Sequence, residues 1–217
     1  MAGQPGILFV NSKITSDTLS APTFTSWYEG VHIPDIFVTS GIKTALRYVS
    51  TAPDAVERPY LALYPVRDVG WLSSDEFKSI PVHSDVLPNE SGAIFELADF
   101  DTRYYVTLGR KGGDGVKGPA NSIVAVTLDS TTDDIDSLCA ASLPQGSTPV
   151  RSRVLKLNFS RQNRNADADR AIPKPPGYLV LHEFGSAPDI GALQAREGVT
   201  AASFNLLKAF GDVNAEF

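Results

Sequence analysis

The residues best suited to chemistry lie between Pro22 and Ser40, in the stretch PTFTSWYEGVHIPDIFVTS. Phe24, Tyr28, His32 and Asp35 are separated by four, four and three positions, which puts them on one stripe of a helix. Trp27 neighbours Phe24 and Val31 on the same helix surface. An unperturbed imidazole titrates near neutrality, so His32 can take a proton in one step and return it in the next. Tyr28, one turn back, can orient the ring or hydrogen-bond a substrate oxygen. Asp35 is spaced to hold the imidazole in one tautomer. The competing reading is a core helix with one satisfied histidine.

The flanking residues say how such a helix would be held. Ser20 is an N-cap candidate and Pro22 suits the first turn, where no amide hydrogen is required. Pro34 lacks a backbone donor and crowds the preceding turn, so the helix should kink near His32. Gly41 stands where a left-handed C-cap residue is common. Around this helix the chain reads as strands over Gly6–Ile14, Ile42–Ser50, Tyr60–Val66 and Thr102–Leu108, with a short helix in Gly70–Ile80 and a long polar connection from Pro81 to Gly92. Ser73 or Ser74 can cap that second helix.

RKGGDGVKGPA, from Arg110 to Ala120, is the best internal boundary. It lacks the G-x-x-x-x-G-K-[ST] order of a phosphate loop. Beyond it the plan repeats: strands over Ser122–Leu128, Arg151–Phe159 and Tyr178–Phe184, helices within Thr132–Ala141 and Pro188–Gly198, and a last strand over Ser203–Phe210. Ser160 to Pro176 reads as a polar, proline-ended excursion. YLALYPV at Tyr60 and YLVLHEF at Tyr178 hold matching places in the two halves. Each half therefore has the order β-α-β-β-α-β of a ferredoxin-like unit. The expected fold class is α+β: residues 1–110 form one half, carrying the Tyr28/His32 motif, and residues 120–217 form the other. Two such sheets can cover each other and close a barrel, with a cavity between them.

Other side chains are candidates for that cavity. Tyr48, Tyr64, Tyr104 and Tyr105 lie on strands, and alternation sends some of them inward, where a phenol can stabilise an enolate oxygen. Arg47 is a candidate clamp for a substrate carboxylate. His182 occupies the place of Tyr64 in the repeat and is expected to reach the same cavity. Phe24, Trp27, Arg47, Tyr48, Tyr64, Tyr105 and His182 are thus the substrate-binding candidates, beside His32, Tyr28 and Asp35 as catalytic ones. His83 reads as a surface residue and Cys139 as a buried structural thiol.

Composition narrows the function classes. The chain of 217 residues carries a net charge of −6, which argues against a nucleic-acid footprint. No apolar run is long enough to span a bilayer, and the apolar N-terminal stretch has no basic region before it, so a secretory signal is unsupported. The single cysteine and three histidines match no zinc spacing. A cytoplasmic protein with no cofactor, no metal, a small-molecule partner, no membrane or nucleic-acid partner, and room for homodimer formation is the expectation.

Trp27-Tyr28, His32-Ile33-Pro34, Gly41 and the strand Ala45-Leu46-Arg47-Tyr48 resemble the W-Y-x-x-x-H-I-P helix and following strand of EthD-like proteins, within the dimeric α+β barrel superfamily. The resemblance implies a barrel, here built from two fused halves of fungal type. It also implies membership in a group that includes cofactor-free polyketide cyclases, decarboxylases and isomerases as well as haem-dependent enzymes. The leading expectation is a cofactor-independent lyase, isomerase or cyclase of secondary metabolism. It would act on an aromatic or polyketide-like molecule with His32 as acid and base. The alternatives are a non-catalytic carrier using the same cavity, and a haem-binding barrel with His32 or His182 as axial ligand.

Overall fold

The structure, a computed structural model, describes residues 3–163 and 174–214. Eight antiparallel strands close into a barrel in the order β1-β3-β2-β8-β5-β7-β6-β4. They are β1 (Gly6–Ile14), β2 (Thr44–Ser50), β3 (Tyr60–Val66), β4 (Ala98–Gly112), β5 (Ser122–Leu128), β6 (Arg151–Asn163), β7 (Tyr178–Phe184) and β8 (Val199–Gly211). The first four strands and the last four show the same internal order, and the β2–β8 and β4–β6 pairs join the two sets. This is the α+β barrel expected from two β-α-β-β-α-β runs.

Both faces of the strands are covered, so ILFV, SIVAVTL and YLVLHEF are apolar almost throughout rather than alternating. Inside the barrel, Ile7, Phe9, Leu61, Leu63, Leu155, Leu179 and Phe204 pack into one cluster drawn from both halves. Their strand neighbours face outward beneath helices, where Leu8, Val10, Ala62 and Tyr64 meet Phe24, Trp27, Tyr28 and Ile36. The second half buries Val154, Val180, Leu138 and Cys139 in the same way.

Side chains of both halves thus pack into the barrel interior, where a cavity between the sheets was expected. Buried ion pairs add to the filling: Glu183 accepts from both Arg151 and Arg153. Asp101 accepts from Arg103 and Gln162. Charges removed from water persist only when paired like this.

The helices are α1 (Ala21–Trp27), α2 (Ile33–Val38), α3 (Asp75–Lys78), α4 (Ile135–Ser142) and α5 (Gly191–Gln194). Ser20 caps α1 through the Thr23 amide, as its position implies. Ser74, not Ser73, caps α3, while Glu76 accepts from Ser40 and Trp71. Gly41 has no positive φ; a side chain there would meet the Trp71 ring, which lies across its Cα. The glycines of the 110–120 boundary do need left-handed backbone: Gly112, Gly113, Gly115 and Gly118 all have φ between 71° and 78°. Strand β6 continues through Ser160 to Asn163, where the excursion was expected to start. The excursion's residues 164–173 lie outside the described ones.

Candidate functional site

Between α1 and α2 the chain forms a π turn over Tyr28–His32, in which the Ile33 amide donates to the Tyr28 carbonyl. Pro34 supplies the reason. In a regular helix its ring would press on the Gly30 carbonyl and leave that acceptor without a donor. A π turn accommodates one extra residue, so every side chain after it moves round by about one position. The stripe expected of a straight helix, Phe24, Tyr28, His32 and Asp35, becomes Phe24, Tyr28, His32 and Ile36. Burial follows the second series: Ile36 is enclosed, whereas Asp35 is partly exposed.

Beneath this turn lies a cavity of about 540 Å³, on the outer face of the first-half sheet. Leu8 and Val10 of β1 and Tyr64 of β3 form part of its floor, Trp27, Tyr28, His32 and Ile36 form one wall, and Leu72, Phe77, Ile80, Val82, Ile94 and Phe95 form the opposite wall. That opposite wall comes from the β3–β4 connection: Leu72, Phe77 and Ile80 fall in the stretch expected to hold a short helix, Val82 in the stretch read as a polar connection, and Ile94 and Phe95 beyond it.

Two further residues reach the cavity from the second half. Tyr104 pairs with Phe159 and Tyr105 with Leu157, so Asn158 is an extra residue in β6. This β-bulge turns Phe159 and Arg161 to the outer face, beside Tyr104 and Thr102. Without it both side chains would fall on the interior side with Leu157.

Within the site, His32 stacks on Trp27 at 4.9 Å between ring centres and 14° between planes. It meets the Tyr28 ring edge-on at 5.4 Å. Its Nδ1 is enclosed without a hydrogen-bond partner. Burial lowers the imidazole pKa to about 4, against a weaker upward pull from the Pro81 backbone. The ring is thus neutral at physiological pH.

The Tyr64 hydroxyl donates to the Tyr28 hydroxyl at 3.1 Å, so the Tyr28 proton is available to another acceptor. Burial raises both phenol pKa values and keeps both groups protonated. The Arg47 guanidinium sits 4.5 Å from the centre of the Tyr28 ring and partly opposes that rise.

The structure brings together His32, Tyr28, Trp27 and Tyr64 of the expected site residues. It separates the others. Asp35 is off the cavity, turned away by the π turn. Phe24 packs behind Tyr28, with ring centres 5.5 Å apart, and does not line the space. Arg47 is 1% exposed and bound to Glu29 at 3.1 Å, so its anion is a residue of its own chain. Glu29 also takes Lys208 at 3.0 Å, tying the π turn to β2 and β8.

Tyr48 and Tyr105 point into the barrel. Tyr48 donates to the Ala120 carbonyl and Tyr105 receives from Arg103. Alternation selects Tyr104 for the cavity instead. His182 lies under α4, fully buried, with Ser142 Oγ at 2.8 Å from Nε2 and Ser152 Oγ at 2.7 Å from Nδ1. Both nitrogens are occupied, so it cannot serve as an axial haem ligand, and it belongs to a different layer from the cavity. His83 is exposed and Cys139 is buried, as expected from their surroundings.

The site joins an apolar space to a neutral imidazole and a phenol donor. The hydroxyls of Ser73 and Thr102 and the cations Lys78 and Arg161 complete its polar lining. No group of three His, Cys, Asp or Glu side chains arranged for a metal occurs among the described residues. No helix among them is long and apolar enough to cross a membrane.

No family model matches the chain. A curated relative, "Core atranone cluster (CAC) protein 1" of Stachybotrys chlorohalonatus (strain IBT 40285), is 28% identical over 204 residues, covering 87% of this chain and 85% of the relative. Among solved structures, a protein provisionally described as a chlorite dismutase overlaps with a TM-score of 0.44 at 13% identity, over 94% of this chain and 95% of that one. At that level the overlap says nothing of function.

Proposed function

We propose that the protein is a cofactor-independent, EthD-like enzyme that moves protons on an apolar, oxygenated small molecule of fungal secondary metabolism. The observation that carries this reading is the π turn, which aims a neutral His32 at an apolar cavity beside the Tyr28–Tyr64 hydroxyl pair. The relative's name assigns that protein to an atranone cluster, and the likeness supports a role on a small molecule here too.

In this reading Nε2 of His32 removes a proton from a carbon next to a substrate carbonyl. The electron pair moves onto the carbonyl oxygen, and the Tyr28 hydroxyl donates to the enolate so formed. Tyr64, donating to Tyr28, polarises that hydroxyl. The buried imidazolium is a strong acid, because its pKa is about 4, and returns its proton readily. Return at a different atom is isomerisation. Attack of the enolate carbon on a second carbonyl is cyclisation, and expulsion of a leaving group from the neighbouring carbon makes the protein a lyase. An aromatic or polyketide-like substrate fits a wall built of Trp27, Phe95 and Tyr104.

Mass spectrometry of a cell extract incubated with wild type, His32→Ala and His32→Gln tests the proposal. A metabolite consumed by wild type alone is the expected result. Loss of carbon dioxide identifies a decarboxylase, loss of water a dehydratase or dehydrative cyclase, and an unchanged mass an isomerase or cyclase. A metabolite bound unchanged by all three proteins overturns catalysis and makes the chain a carrier.

A further inference from the structure

We infer that the ligand of this cavity is an amphipathic anion, with its apolar body under the π turn and its oxyanion at the mouth, held by Arg161 with help from Lys78. The inference rests on the cavity being a small-molecule site, as proposed above, and adds the charge of the molecule. Lys78 and Arg161 are the only Lys or Arg residues lining the cavity, and no lining residue is acidic. The whole chain, by contrast, has 25 acidic residues against 19 basic ones. An acidic protein with a purely basic cavity mouth offers its ligand a local field opposite to its overall charge.

The position of Arg161 depends on a specific backbone feature. The extra residue Asn158 turns it out of the barrel interior and onto the cavity, opposite Thr102. Beside it Phe77, Tyr104 and Phe159 form an aromatic shelf, with successive ring centres 6.0 and 4.8 Å apart. Lys78 follows Phe77 directly at the other end of that shelf. It already shares Asp75, at 3.6 Å on the exposed side, and is therefore the weaker of the two cations toward a ligand. A flat apolar body lies on such a shelf, and a carboxylate or sulfonate reaches the guanidinium in bidentate fashion.

Two fluorescent probes of similar ring content separate charge from shape: anilinonaphthalene sulfonate, which is anionic, and N-phenyl-naphthylamine, which is neutral. Wild type should bind both, the anion more tightly. Arg161→Gln should weaken the anion by roughly tenfold, the worth of one charge-assisted hydrogen bond in a partly solvated site, and Lys78→Gln by less. Both variants should leave the neutral probe within about twofold. Ile80→Trp, which fills the cavity from the loop side, should weaken both probes.

Equal binding of the two probes by wild type and Arg161→Gln overturns the anion assignment and leaves the cavity reading intact. Binding of neither probe, or binding that survives Ile80→Trp, overturns the cavity reading as well. Arg161 and Lys78 are exposed, so neither substitution puts folding at issue.

Discussion

Tyr64 and His182 hold the same address in the two halves of the barrel. Each is the fifth residue of its half's third strand, and each faces the third residue of the first strand, Leu8 in one case and Val124 in the other. Their surroundings differ. Over Tyr64 the helical segment from Ala21 to Val38 contains a π turn, and the connection from 67 to 97 stands off the sheet to make a second wall. Over His182 an eight-residue α4 sits directly on the sheet, and a connection of only 185–198 follows. The first arrangement leaves about 540 Å³ and the second closes on Ser142 and Ser152. One polar position on a shared scaffold is thus packed shut or left facing a cavity according to what lies over it, and the residue type alone does not say which.

The sharpest way to break this comparison is to remove each histidine. Replacing His32 by Gln should lower turnover by about 10²–10⁴-fold, the usual range for a lost acid–base group. It should change the urea midpoint little, because the enclosed Nδ1 has no hydrogen-bond partner to lose. Replacing His182 by Ala should do the reverse. It leaves a void and takes the imidazole partner from the Ser152 and Ser142 hydroxyls, of which Ser142 keeps the Leu138 carbonyl, at a cost of about 2–4 kcal/mol in unfolding free energy, while neutral-probe affinity stays within about twofold. If His182→Ala abolishes probe binding at full stability, the two layers are not independent.

The pH dependence of stability sharpens the same contrast. His182 has a folded pKa lowered to about 4 from 6.5, chiefly by burial. Below pH 6.5 the unfolded chain takes up a proton that the folded chain refuses until about pH 4. Its stabilising share is therefore complete above pH 6.5 and falls away toward pH 4, by on the order of 3 kcal/mol. His32, lowered to about 4 as well, has the same sign and window. Urea titrations between these limits should show stability rising with pH, then flattening. His182→Ala should remove about half of that slope. A saturating ligand should alter only the half that belongs to His32, and a slope unchanged by both substitutions contradicts the assignment.

Much of the scaffold was legible because the strands announce themselves. Gly6–Ile14, Tyr60–Val66, Ser122–Leu128 and Tyr178–Phe184 have the bounds that their apolar runs imply. The repeated β-α-β-β-α-β order then leaves a closed barrel as the natural way to cover both sheets. Sites were harder to read because they depend on departures from regular periods. The π turn exchanges Asp35 for Ile36, and the bulge at Asn158 brings in Phe159 and Arg161. Neither is visible to a count of three and four or of two. Strand alternation also separates Tyr104 from Tyr105, but which goes inward depends on the register against β1. Arg47 has the residue type of a substrate clamp, but Glu29, three positions before His32 in the same helical segment, already holds its guanidinium, and no strand or helix period shows that pairing.

The smallest expected effect tests the π turn itself. If the helix were straight, Asp35 would stand on the active stripe and Ile36 well to one side of it. With one residue inserted, Asp35 faces away and Ile36 seals the wall behind His32. Asp35→Asn should then leave turnover and both probe affinities within about twofold, and stability within about 0.5 kcal/mol, as for an ordinary surface change. Ile36→Asn, one position on, should weaken the neutral probe clearly, because it puts a polar amide into a 2% exposed apolar wall. The pair makes the result independent of any general fragility of the helix. Were Asp35→Asn to cost tenfold in turnover with Ile36→Asn silent, His32 would be working with a carboxylate partner on a regular helix, and the π turn would have no part in aiming it.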